Sequence, residues 1–188
     1  MRNETILLDI EQRIATVTLN RSHAGNRINE EMVFQLRDVC AQVEQDDDIW
    51  VVVLTGGGDF FCKGTDTSTL NRKKRDFEAL MRLKVAGQLA AVGKPVIAAL
   101  NGDAVDQGLE LALACDLRIA SSQAQFGMTH LKGGMMPWDG GTQRLPRLLG
   151  RGWGMGMRVW IPLGTTCFEP HDRPYPGWAI TFAPHKGG

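Results

Sequence analysis

Apolar and polar residues alternate along Ile6–Ile10 and again along Ile14–Leu19, with Glu11-Gln12-Arg13 between them. A period of two predicts two half-buried strands joined by a short turn, a β-hairpin. From residue 29 the period changes. Met32, Val33, Leu36, Val39, Cys40 and Val43 recur at helical spacing, which predicts a helix with one buried face. Asn29 stands where a capping side chain is wanted. Glu30 and Glu31 complement the positive end of the helix dipole, and Asp46-Asp47-Asp48 closes the helix. The continuous apolar run 49–54 predicts a strand buried on both faces, broken by Gly56-Gly57-Gly58. A polar helix is predicted over residues 69–91. A second buried strand follows over 96–100, then a turn at Asn101-Gly102, a helix over 108–114, a short strand over 117–120 and a helix over 142–149. Strands alternating with helices predict an α/β fold with a largely parallel sheet.

The pattern changes after Gly150. Residues 151–188 carry Pro162, Pro170, Pro174, Pro176 and Pro184, and no period persists. The chain therefore divides into a core over 1–150 and an irregular Pro/Gly/Trp-rich tail over 151–188. Such a tail is not expected to build a core of its own. It is expected to dock on the body through Trp153, Trp160, Phe168 and Trp178.

Composition narrows the function classes. The 188 residues suffice for one domain with a real core. Twenty-one basic and 21 acidic residues cancel, so nothing global favours nucleic acid or an anionic membrane as partner. No apolar run approaches the roughly 18 residues of a spanning helix. The first residues lack the apolar stretch of a signal peptide, and a cytoplasmic location is expected. Cys40, Cys62, Cys115 and Cys167 form no CxxC pair and no cluster with histidine. Neither a metal site nor a disulfide framework is expected.

Three glycine-bearing turns each follow a predicted strand, over residues 56–66, 101–110 and 126–144. In open α/β sheets, ligands gather at the carboxyl ends of strands. Two such turns with free N–H groups can aim two donors at one oxygen and stabilise charge developing on a carbonyl. Any one of these turns alone is more simply a structural turn. Glu110 sits in an apolar helix, Leu109-Glu110-Leu111-Ala112-Leu113-Ala114. An acid there needs a partner or a use, and the residues leave both open. His130 is a candidate acid or base, although a lone histidine is more often structural. Asp139 either caps a helix or takes part in chemistry. The basic run Arg72-Lys73-Lys74-Arg75 is read as a solvated helix face rather than an RNA contact.

Together these segments resemble the crotonase superfamily. Residues 20–29 are similar to its first loop, and Phe61-Cys62-Lys63-Gly64-Thr65-Asp66 to its FxAGxD segment. Lys94-Pro95-Val96-Ile97-Ala98-Ala99-Leu100-Asn101-Gly102, with residues 108–116, resembles its most recognisable stretch. Phe126-Gly127 and residues 140–147 match the next. The resemblance covers roughly residues 5–150. It implies a spiral of β-β-α units, usually assembled as a trimer or hexamer, that binds an acyl-CoA thioester. The carbonyl is implied to lie between the backbone N–H groups of Thr65 and Gln107, with Glu110 catalytic. Arg27, Cys62, Lys63, Gly64, Asp66, Gly108, Pro137 and Trp138 fall on the matching segments and are expected at the substrate. Coenzyme A enters as part of the substrate, with no separate cofactor and no metal.

The chain departs from the pattern at three places. His130 stands where hydratases carry a second glutamate, leaving a Glu/His pair. Asp106-Gln107-Gly108 replaces three glycines, which makes a positive φ costly at 107. Asp139 replaces a small residue and is expected to orient His130, as an acid does in a triad. That pair resembles the one in ring-opening β-diketone hydrolases. The resemblance thus implies 2-enoyl-CoA hydration first and C–C bond hydrolysis through His130 and Asp139 as the alternative. Relatives continue past residue 150 with several helices. Here the C-terminal helical part is expected to be largely missing, and a catalytically degenerate member is the remaining reading.

Overall fold

The computed structural model describes residues 4–68 and 77–150, together with the pair Phe182–Ala183. The hairpin forms as β1 (Ile6–Glu11) and β2 (Ile14–Leu19), in antiparallel register from Ile6 opposite Leu19 to Glu11 opposite Ile14. Its connection is the two residues Gln12 and Arg13, at φ 49° and 70°. Two consecutive positive φ angles match the right-handed twist of the strands. Neither residue is the glycine or asparagine that usually marks such a turn.

Helix α1 (Glu30–Gln45) starts as its sequence predicts, with the Asn29 side chain accepting a bond from the Met32 N–H at 3.0 Å. Met32, Val33, Leu36 and Val43 are its buried stripe. Strand β3 (Val51–Gly56) begins two residues later than the apolar run. Its faces alternate between buried and half-covered positions, and Trp50 just before it is 63% exposed. The run is therefore not buried on both faces. Val52 and Leu54 meet the core, while Val51 and Val53 look outward.

Beyond β3 the chain repeats one plan. Each strand of a large sheet is followed by a short strand of a small one, then by helix. Strand β3 leads to β4 (Phe60–Cys62), then to α2 (Phe77–Arg82) and α3 (Ala86–Leu89). Strand β5 (Val96–Leu100) leads to β6 (Asp103–Val105) and α4 (Gln107–Ala114). Strand β7 (Leu117–Ser121) leads to β8 (Phe126–Gly127) and α5 (Gly141–Leu149). The large sheet has the order β1-β2-β3-β5-β7-β9, where β9 is Phe182–Ala183, and is parallel apart from the hairpin. The small sheet is β4-β6-β8, all parallel. This is the spiral of β-β-α units that the sequence implied. Its core runs between the sheets and helices through Leu19, Ile28, Met32, Leu54, Phe61, Leu89 and Leu111.

The long helix expected over 69–91 is not continuous among the described residues. It breaks between Arg82 and Ala86. There the Leu83 carbonyl accepts a bond from Gln107, and the Val85 and Ala86 N–H groups donate to Asp139. Tertiary partners take backbone groups that a helix would pair internally. The basic run Arg72-Lys73-Lys74-Arg75 and the four expected docking aromatics of the tail lie outside the described residues. No described helix is long and apolar enough to cross a membrane.

The small sheet sits against the rest by backbone contact. A Cβ on Gly102 would overlap the Asp59 carbonyl, and one on Gly108 would overlap that of Cys62. Gly102→Ala is expected to lower unfolding stability by about 1–3 kcal/mol through overpacking. Gly87→Ala, in α3 with nothing within 4 Å of the added methyl, is expected to raise it by roughly 0.5 kcal/mol. Urea midpoints at unchanged slope check both. Equal midpoints for the two variants would contradict the close-approach argument.

Candidate active site

Two loops bring together backbone donors that no described residue accepts from. Ile28 forms a parallel bridge with Thr65, in which its N–H donates to the Gly64 carbonyl at 2.9 Å and its carbonyl accepts from Asp66 N–H at 2.8 Å. The bridge uses the groups on either side of Thr65 and leaves the Thr65 N–H pointing the other way. Gln107 opens α4, so its N–H belongs to the first turn and has no intrahelical acceptor. Among the described residues, neither N–H has a hydrogen-bond acceptor. Gly108 lets α4 approach the Cys62 backbone, and a Cβ on Gly64 would lie 3.6 Å from the Gln107 nitrogen. Both donors therefore belong to one small region, in the arrangement that polarises a carbonyl.

The side chain at 107 does more than its sequence suggested. It is fully buried. Its Oε1 accepts from Thr65 Oγ1 at 2.7 Å, and its Nε2 donates to Leu83 O and to Asp139 Oδ2 at 3.0 Å. One amide thus ties the two donor loops to each other and to the α2–α3 break. The backbone conformation anticipated as costly at Gln107 falls one residue earlier, on Asp106, at φ 52° and ψ −122°.

Glu110 is also fully buried. Its Oε1 accepts from the N–H of Asp139 at 2.9 Å and of Gly141 at 2.7 Å. Gly141 opens α5, so the carboxylate lies at the positive end of a helix dipole. Among the described residues Oε2 takes no hydrogen bond, and it lies 3.4 Å from His130 Nε2. His130 is buried at the start of a 3-10 turn, His130–Gly133.

The expected pairing of His130 with Asp139 does not form. Asp139 Oδ2 is taken by the Val85 and Ala86 N–H groups, at 2.9 and 3.1 Å, and by Gln107. These bonds take the first N–H groups of α3 and hold the α2–α3 break. His130 Nδ1 faces Asp106 Oδ1 instead, at 3.3 Å. Neither imidazole nitrogen has an aligned hydrogen bond. Sequence reasoning weighed Asp106 only as a missing glycine. Its adjacency to His130 depends on β6 and β8 lying side by side, with Val105 in register with Gly127.

The other expected substrate residues divide by position. Asp66 Oδ2 pairs with Arg21 at 2.9 Å, and Oδ1 accepts from the Ser68 N–H and hydroxyl. Burial alone would raise its carboxyl, but the Ser68 and Arg21 hydrogen bonds prevail and hold it below the usual range. It organises its loop. Arg27 is exposed and donates to the Lys63 carbonyl at 2.9 Å, while the Lys63 ammonium lies 3.4 Å from the Phe60 ring centroid. Cys62 is buried with its Sγ on the Asn26 carbonyl at 3.1 Å, and burial pushes its thiol up to about 12. It is packing, not a reactive group. Gly64 takes φ 88°, Pro137 is buried beside Asp139, and half-buried Trp138 packs on the core.

Residues 9–162 match the family model described as enoyl-CoA hydratase/isomerase. The chain is 40% identical over 157 residues to crotonyl-CoA hydratase of Syntrophomonas wolfei, covering 81% of this chain and 60% of that protein. Identity, length and both coverages are the same for short-chain-enoyl-CoA hydratase of Clostridium acetobutylicum. A solved enoyl-CoA hydratase from Bacillus anthracis superposes with a TM-score of 0.77 at 33% identity, covering 82% of this chain and 62% of that one. The chain thus spans about 60% of the length of the curated relatives it matches. On the family match and the spiral fold together, it belongs to the enoyl-CoA hydratase/isomerase family.

Proposed function

We propose that this site binds an acyl-CoA thioester and hydrates a 2-enoyl-CoA. The observation that carries the reading is the pair of N–H groups at Thr65 and Gln107, without acceptors among the described residues, close to a buried glutamate with one oxygen left unbonded by them. The relatives named as hydratases of crotonyl-CoA and short-chain enoyl-CoA support it.

In this reading the thioester oxygen lies between the two N–H groups. Addition of water oxygen to C3 pushes an electron pair onto that oxygen, giving an enolate that the donors stabilise. Glu110 Oε2 and His130 Nε2 are the groups that hold the water. One takes its proton as oxygen attacks, that proton passes to the other 3.4 Å away, and from there it goes to C2 as the enolate collapses, so both groups end as they began. Glu110 Oε1 is held by two backbone donors, so only Oε2 is free to move a proton. Coenzyme A is part of the substrate, and no separate cofactor enters the reaction.

The alternative of C–C bond hydrolysis rested on a His130–Asp139 pair. Asp139 Oδ2 is taken by Val85, Ala86 and Gln107, and no contact between Asp139 and His130 supports that alternative. The reading also carries a trimeric or hexameric working form and a cytoplasmic location. In support of self-association, Leu7, Ile14, Leu117 and Ile119 stand exposed on the outward side of the large sheet.

Two measurements test the proposal on the full chain. Acetoacetyl-CoA, an enolate-like ligand, is expected to raise the melting temperature, with about 2.7 kcal/mol of stabilisation at a hundredfold excess over Kd. No shift at saturating concentration sinks the reading. Glu110→Gln is expected to lower kcat for crotonyl-CoA hydration by about 10²–10⁴-fold while the acetoacetyl-CoA shift persists. Turnover retained in Glu110→Gln and lost in His130→Ala would overturn the assignment of Glu110.

A further inference from the structure

His130 lies in a line of three ionisable groups. Asp106 Oδ1 is 3.3 Å from Nδ1, and Glu110 Oε2 is 3.4 Å from Nε2. The two inner groups are sealed, with side chains 3% and 0% exposed, whereas the Asp106 side chain is 26% exposed. We infer that Asp106 is the positioning residue for His130, holding the proton on Nδ1 so that Nε2 is presented to Glu110 and the reacting water. The inference rests on the hydration reading for its kinetic consequence and on geometry alone for the imidazole.

Three observations converge on Asp106. First, its backbone is at φ 52° and ψ −122°, a conformation that glycine enters freely and a residue with a Cβ does not. Such a conformation persists where the surroundings over-determine it, and the side-chain bonds of Asp106 are part of those surroundings. Second, the carboxylate is itself fixed. The Thr129 N–H donates to Oδ1, and the Thr129 hydroxyl reaches both oxygens. Because Thr129 immediately precedes His130, the contact ties acid and imidazole into one unit. Third, Nδ1 is buried, and Asp106 is the acceptor in reach.

A turn-stabilising role for the Thr129 contacts alone is the simpler alternative. It explains the bonds to Thr129 but not the orientation of Oδ1 toward the imidazole. At 3.3 Å the contact is long for a hydrogen bond, and catalytic contacts of this kind tighten when substrate binds. Which imidazole nitrogen bears the proton is set by the partner of the other, and that choice decides which nitrogen does chemistry. An acceptor at Nδ1 leaves the Nε2 lone pair toward the reacting water, so that Nε2 can take the water proton and hand it on to Glu110 Oε2, 3.4 Å away. No net transfer to Asp106 is needed.

The test uses the ¹⁵N-labelled full chain, with His130 assigned by comparison with His130→Gln. In the parent chain Nδ1 of His130 is expected to carry a proton. Asp106→Gly releases the backbone, so the melting temperature is expected to hold or rise. The Nδ1 proton is expected to move to Nε2, and kcat for crotonyl-CoA to fall about 10²-fold with KM within about twofold. Asp106→Asn keeps an acceptor, because the Thr129 N–H fixes its Oδ1. It is expected to retain the Nδ1 proton and to lose less kcat than Asp106→Gly. An unprotonated Nδ1 in the parent chain overturns the inference, as does an unchanged His130 spectrum in Asp106→Gly. An Asp106-dependent Nδ1 proton in a chain without turnover supports the positioning role and overturns the hydration reading instead.

Discussion

The carbonyl of Cys62 lies so close to Gly108 that no side chain fits between them. This one backbone contact sets the distance between the loop after β4 and the first turn of α4. From it follow the proximity of the Thr65 and Gln107 donors, the reach of the Gln107 amide to Thr65, and the depth at which Glu110 enters the core. Gly102 against Asp59 repeats the device one strand earlier. The short strands β4, β6 and β8 contribute few hydrogen bonds of their own. They act as spacers that deliver three loops to one place, and the close contacts make the delivery rigid.

Much of this was legible in the chain because it depends on local chemistry. The hairpin period, the Asn29 cap, the buried stripe of α1 and the alternation of strand and helix are all properties of short windows. The boundaries of α4 and α5 were each readable to within one residue. What failed was set at long range. Nothing within residues 69–91 announces that Leu83, Val85 and Ala86 yield their backbone groups to Gln107 and Asp139. Those partners lie 24 to 54 positions away in sequence. The faces of β3 differ from the expectation for a related reason. An apolar run reports that both sides tolerate burial, not that both are buried.

The candidate site was read at its members more accurately than at its pairings. Glu110 and His130 do meet, whereas Asp139 serves α3 and Asp106 takes the place assigned to it. Sequence proximity favoured Asp139, nine positions from His130 on the same segment. The small sheet favours Asp106, 24 positions away, because strand register brings separate loops together more closely than a shared loop does. Gln107 carried a weaker signal still. The sequence marked its N–H as a donor and its side chain only as the replacement of a glycine, and the role of that side chain as a buried three-way tie emerged with the fold.

The two donors proposed to bind the thioester oxygen are main-chain groups. Their presence does not depend on which side chains residues 65 and 107 carry. Proline alone, which lacks the hydrogen, can erase either of them. Other substitutions act by moving the loops. The carbonyl-binding half of this site is thus written in the path of the backbone, and only its proton-moving half in side chains.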